Sequence, residues 1–150
     1  MILMLNFTGL LDLYLINKLF MEILIKKLND QAKLPAYTSE AGPGIDLYSL
    51  VGVTIEPGAR VVVSTGIAMA VPVGYVGLIW NKNGMVTEEP LKVTGSRIDS
   101  GYRDEITVEL TNAGSETLSI SAGDQIAQIL IQQVHRAHLI EAADLSSSGE

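Results

Sequence analysis

Asp99 and Tyr102 stand on either side of Ser100 and Gly101, and this spacing is the part of the chain best suited to chemistry. A carboxylate takes a proton from a water, and an aromatic ring beside it stacks on a flat substrate. The surrounding stretch, Gly95-Ser-Arg-Ile-Asp-Ser-Gly-Tyr-Arg-Asp-Glu105, runs directly into the alternating Ile106-Thr-Val-Glu-Leu110. Glycine allows the positive φ of a tight hairpin turn. The expectation is therefore a hairpin that puts Asp99 and Tyr102 on either side of one bend. A solvated Asp and a half-buried Tyr on an ordinary surface hairpin would satisfy the same residues, so the rest of the chain has to decide. A second carboxylate, Asp46, lies where the Gly-rich Ala41-Gly-Pro-Gly-Ile-Asp-Leu-Tyr-Ser49 enters a strand. Loops of this kind position carboxylates; they also simply turn. His135 and His138 are spaced i, i+3, but no third metal ligand accompanies them, and they read as surface or interface residues.

Composition narrows the chemistry further. The 150 residues fit one domain large enough for a hydrophobic core. With 47% hydrophobic and only 18% charged residues, the chain is not a disordered one. Fourteen Gly and frequent Val, Ile and Thr favour β structure. The net charge of -7, without a run of Lys or Arg, argues against a sequence-independent grip on duplex nucleic acid, which relies on neutralising phosphates. A polyanionic small molecule remains possible if Mg²⁺ supplies positive charge. The absence of Cys excludes disulfides, thiolate catalysis and Cys-based zinc sites.

The elements that must position these residues read as short strands broken by turns. Residues 22–28 form a first strand, followed by the proline-fixed Leu34-Pro35-Ala-Tyr37. The Gly-rich 41–49 enters a strand that carries Asp46, and further strands fall at 51–55, 60–64, 66–71 and 75–80, separated by turns such as Glu56-Pro-Gly58 and Pro72-Val-Gly74. Asn81-Lys-Asn-Gly84 is a polar break, and 91–93 leads into the Asp99 stretch. Strands at 117–120 and 126–134 close the series around the turn Ala122-Gly-Asp124. Nothing in 21–140 keeps a helical period. Many short strands at close spacing predict an all-β sandwich, jelly roll or barrel. Residues 1–20 are apolar but interrupted by Asn6, Asp12, Asn17 and Lys18, matching neither a membrane span nor a secretory signal. Met21 offers an alternative start of translation; the other reading of 1–20 is an amphipathic N-terminal helix. Residues 141–150 read as a polar tail.

Four stretches in order resemble the trimeric dUTPase family. Ala41–Ser49 is similar to its first motif, with Asp46 in the acidic position. Gly74-Tyr-Val-Gly-Leu-Ile-Trp-Asn-Lys-Asn-Gly-Met85 is similar to the second, Gly95–Glu105 to the third and Gly123-Asp-Gln-Ile-Ala-Gln-Ile129 to the fourth. The resemblance covers residues 21–140. It implies a jelly-roll-like β fold, a homotrimer with sites between subunits, a cytoplasmic location, and Mg²⁺-dependent hydrolysis of dUTP to dUMP and pyrophosphate, with no nucleic-acid or membrane partner. It also implies the roles of residues. Asp99 orients and deprotonates the water attacking the α-phosphorus, and Tyr102 stacks under the deoxyribose. Asp46 holds the metal through water. Lys82, Asn83, Gly84 and Gln128 face the phosphates. Backbone groups of the Gly95–Tyr102 stretch, among them Gly95 and Ile98, read the uracil edge.

The sequence also departs from that pattern. Lys82-Asn83 stands where the family usually has Arg-Ser, which keeps a charge but loses the guanidinium fork. Arg97 stands where an aliphatic residue is usual. On an ideal strand it shares a face with Asp99, where a cation weakens a base. Asp104 replaces a usual Gly. Ser146-Ser-Ser-Gly-Glu150 resembles the approach to the family's fifth motif, a Gly-rich arm carrying a Phe, and the arm itself does not follow; weak turnover is the expectation. Two other readings stay open. One is a dCTP deaminase, or a bifunctional enzyme, in which Glu109 shuttles protons. The other is a non-catalytic relative that binds a nucleotide or a partner.

Overall fold

The computed structural model describes residues 21–82 and 90–145. The stretches 1–20, 83–89 and 146–150 lie outside the described residues, and with them Asn83, Gly84, the N-terminal extension and the approach to the fifth motif. Every regular element among the described residues is a strand. They are β1 (Leu24–Lys27), β2 (Ile45–Tyr48), β3 (Val53–Ile55), β4 (Arg60–Ser64), β5 (Ile67–Ala70), β6 (Tyr75–Trp80), β7 (Leu91–Val93), β8 (Ser96–Ile98), β9 (Thr107–Asn112), β10 (Leu118–Ile120) and β11 (Gln125–Gln133). The expected strands are all present, with ends shifted by a residue or two. No helix among them is long and apolar enough to cross a membrane.

All pairings are antiparallel. One sheet has the order β2-β11-β6-β8 and a second β4-β9-β7; β1-β5 and β10-β3 form two-stranded ribbons. This is a jelly-roll-like arrangement of short strands. The alternation read from the sequence explains it: Val108 and Leu110 of β9 turn inward while Thr107 and Glu109 face out or to the rim. Inward residues from every sheet, including Leu47, Ile55, Val63, Met69, Ile79, Leu110 and Ile129, share one buried cluster. At its polar end Asn112, fully buried, donates through Nδ2 to the carbonyls of Ile55 (2.9 Å) and Glu116 (2.7 Å) and accepts from Gly114 N–H (3.0 Å). Those bonds repay the cost of taking an amide out of water.

The third-motif stretch folds differently from the expected hairpin. The bend exists, because Tyr102 N–H donates to the Asp99 carbonyl at 3.0 Å. Its flanking strands, however, do not pair with each other: β8 pairs with β6, and β9 lies between β4 and β7. The bend therefore carries the chain from one sheet to the other. Gly101 does not take a positive φ; that conformation occurs instead at turn glycines such as Gly74 and Gly123, both at φ 87°. A sheet-to-sheet crossing does not have to match the twist of two paired strands, so the primed turn is not required.

Candidate functional site

Asp46 is built into the first sheet. It is 6% exposed, and its neighbour across the ladder is Gln128. Oδ2 accepts from the Thr38 hydroxyl at 2.5 Å, and Oδ1 accepts from Gln125 Nε2 at 2.6 Å. Gln125 reaches it because the β2–β11 register shifts between Gln125 and Ala127. That bulge breaks the two-residue alternation and brings Gln125 and Gln128, three apart, onto the face of Asp46. Gln128 Nε2 donates to the carbonyl of Asn81 at 2.8 Å, and Asn81 Oδ1 accepts from Val93 N–H at 2.7 Å. Gly44 makes room for this arrangement: a Cβ there would sit 1.8 Å from Gln128 Oε1 and 3.2 Å from its Cβ. Lys82 follows Asn81 directly, so the first, second and fourth motifs meet at one corner of the sheet. Burial, and after it the charge of Asp46, raises the pKa of Tyr48 two residues along the same strand. The Lys33 ammonium sits 3.9 Å from the centre of that ring.

The Asp99 bend is braced from within. Arg103 donates from Nη1 to the carbonyls of Ser100 and Tyr102, both at 2.7 Å. The Tyr102 hydroxyl donates to the Glu105 carbonyl at 2.7 Å, and its half-buried ring packs on the core. The Glu105 carboxylate accepts from Gly66 N–H at 2.8 Å. Ile98 is buried, and Gly77 opposite leaves no space for a Cβ, which would lie 2.7 Å from Ile129 Cδ1 and 3.2 Å from Ile98 Cβ. Only the backbone of Ile98 is therefore left to meet a ligand. Among the described residues β8 is an edge strand, so one side of its backbone faces away from the sheet. Asp99 itself is exposed, with Arg97 Nε 2.7 Å from Oδ1 and Nη2 donating to Oδ2 at 3.3 Å.

The structure brings some of the expected residues together and separates others. Asp46, Gln128 and Lys82 share one corner with Gly95, which lies beside the Trp80 ring. Gln128 is level with Trp80 on β6, whereas Ile98 is level with Gly77 and Asp99 lies beyond it. At ideal strand spacings Asp99 stands roughly 16 Å from Gln128. Thr38, Asn81, Gly44 and Gln125 were not singled out from the sequence, and all four shape the Asp46 corner. Glu109 lies in the other sheet, 3.4 Å from Arg60 Nη1.

The donor set bears on the metal. Among the described residues no three metal-ligating side chains come together, so a cage of protein ligands does not fit. An Mg²⁺ carried on a triphosphate keeps most of its waters and takes few protein ligands. A carboxylate offers about four acceptor positions, so Asp46 keeps capacity for such waters beyond its bonds to Thr38 and Gln125 and fits that outer role.

Comparison with known proteins identifies the family. A sequence profile of the dUTPase family matches residues 30–149. The chain is 39% identical over 130 residues to the deoxyuridine 5′-triphosphate nucleotidohydrolase of Syntrophotalea carbinolica, covering 84% of this chain and 88% of that one. It is 38% identical over 128 residues to the Mycobacterium tuberculosis protein of the same name, covering 83% of each. In structure it is similar to the dUTPase of Staphylococcus bacteriophage 80alpha bound to dUpNHpp, with a TM-score of 0.77 at 22% identity over 86% of this chain and 92% of that one. It is also similar to the dUTPase of S. aureus phage phi11, described with a structural Mg(II) ion, with a TM-score of 0.75 at 22% identity over 83% of this chain and 99% of that one.

Proposed function

Since this chain belongs to the dUTPase family, we propose that its reaction, the hydrolysis of dUTP to dUMP and pyrophosphate, takes place in sites shared between the subunits of a homotrimer. The observation that carries the shared site is the separation along β6. Asp99 and the phosphate-facing residues lie toward opposite ends of that strand, roughly 16 Å apart along one chain, which favours a phosphate corner supplied by another copy. A second copy supplying the Lys82–Gln128 corner closes the gap.

In this reading Asp99 accepts a proton from a water whose oxygen bonds to the α-phosphorus. The bond from that phosphorus to the bridging oxygen breaks, and pyrophosphate leaves with the bond's electrons. Positioning supplies most of the acceleration. Tyr102, fixed by its own loop, lies under the deoxyribose and leaves no room for a 2′-hydroxyl. The outer backbone edge around Gly95 and Ile98 reads the uracil. Such hydrogen bonds reject a wrong base because its polar groups leave theirs unpaired. Lys82, Asn83, Gly84 and Gln128 of the neighbouring copy take the phosphates. When bound, Mg²⁺ offsets phosphate charge, and Asp46 holds its waters. The proposal places the enzyme in the cytoplasm with the deoxynucleotide pool.

The test is a turnover assay with Mg²⁺ on dUTP and dCTP separately, run beside light scattering. Pyrophosphate and dUMP from dUTP alone, from a species of three chains, is the expected result. Turnover by a monomer would sink the shared site. Ammonia from dCTP would promote the deaminase reading and Glu109. Binding of dUTP without product would favour the non-catalytic one.

A further inference from the structure

We propose that Arg97 locks Asp99 in the substrate-free enzyme and that the polyphosphate of the substrate removes the lock. The inference rests on Asp99 being the base. Arg97 engages both carboxylate oxygens, with Nε 2.7 Å from Oδ1 and Nη2 donating to Oδ2 at 3.3 Å. The fork takes one lone pair on each carboxylate oxygen, so the guanidinium competes with a water for the positions that face it. Arg97 lies in β8 and Asp99 just past its end, two residues on, which is why the fork forms locally.

The lock is easy to open. Its partners are 69% and 62% exposed, and exposed pairs are weak and screened by salt. The reaction geometry then decides what opens it. A water bonded to Asp99 and aimed at a phosphorus puts that phosphorus about 6 Å from the carboxylate. The guanidinium, already touching the same carboxylate, is within reach of the phosphate oxygens. A triphosphate offers it several negative charges against one. Arg97 and Asp99 line an open cleft of about 490 Å³ whose wall includes Ser100, Tyr75 and Arg136, so the anion has room and a second guanidinium beside it. Arg97 therefore changes partners on substrate binding, and Asp99 is released only when phosphates are in place. Arg97 thus holds Asp99 in the free enzyme and a phosphate in the bound one.

The experiment follows the Arg97 Nε–H resonance of ¹⁵N-labelled full chain by NMR. A non-hydrolysable α,β-imido analogue of dUTP, or inorganic triphosphate, is expected to abolish its hydrogen-bond signature to Asp99; deoxyuridine, which has no phosphate, is expected to leave it. In kinetics Arg97→Leu should raise KM for dUTP about tenfold, through the lost charge-assisted phosphate contact, with the loss in kcat/KM carried by KM. Arg97→Lys, which keeps the charge without the fork, should fall between the two. A signature that persists with triphosphate bound overturns the proposal. So does an Arg97→Leu enzyme with raised kcat and unchanged KM, which would mean that Arg97 stays on the base, or one with both constants unchanged. Full activity in Asp99→Asn would instead overturn the assignment of the base, whatever Arg97 does.

Discussion

Asp46 sits within β2 and Asp99 just past the end of β8 of the same sheet, one 6% exposed and bonded to two side chains on neighbouring segments, the other 62% exposed in its side chain and held by Arg97 of β8. The chemistry of the group is the same in both, and the surroundings assign the roles. A buried carboxylate tied both to a nearby loop and to a strand 79 residues away moves only if those segments move with it. A rim carboxylate with one weakly held partner exchanges that partner at little cost. Under the proposed function the first holds position and the second reacts.

The comparison breaks if the two respond alike to substitution. Asp99→Asn should lower kcat about 10³-fold while leaving the melting temperature near that of the parent, since it removes a base from a solvated site. A large fall in melting temperature would make Asp99 structural. Asp46→Ala should do the reverse to stability. It removes the acceptor of the exposed Thr38 hydroxyl and of the half-buried Gln125 amide, and should cost about 2 kcal/mol in a urea titration. Gly44→Ala sharpens the same contrast more gently. The new methyl group pushes Gln128 off the Asn81 carbonyl, at about 1–2 kcal/mol, with weaker dUTP binding as the companion readout.

The smallest effect concerns pH. Burial and the charge of Asp46 raise the Tyr48 pKa, so the folded chain keeps that proton where the unfolded chain has lost it. Below about pH 10 the hydroxyl is neutral in both states and contributes no slope. Above that, the unfolded state binds fewer protons, and stability falls as pH rises through the folded value. Tyr48→Phe should flatten this alkaline decline in urea midpoints taken at about pH 9 and about pH 11. An unchanged decline would show that another group sets it.

Most of the strand order was legible because each strand is short, alternating and closed by a turn residue. Gly-Pro-Gly before Asp46 and Ser-Gly after Asp99 marked where the backbone must bend. What alternation could not show is a change of phase within one strand. Ile126 and Ala127 are buried in succession, and that bulge alone brings Gln125 to Asp46. Two Gln three apart on an apolar strand were the available signal. Pairing was the other blind spot. A bend between two β segments reads locally as a hairpin, whether its arms pair with each other or, as here, leave for different sheets. The proximity of Arg97 and Asp99 was legible, because an i, i+2 spacing on one strand face is a purely local matter.

The length of β6 has a genetic consequence under the shared-site arrangement. If each site takes Asp99 from one copy and Lys82 from the next, two defective alleles need not add up to a defective cell. A chain lacking only the carboxylate still lends its phosphate corner, and a chain lacking only that corner still lends its base. Mixed during assembly, two preparations that are each inactive would yield some intact sites, and the recovered activity would follow the mixing ratio.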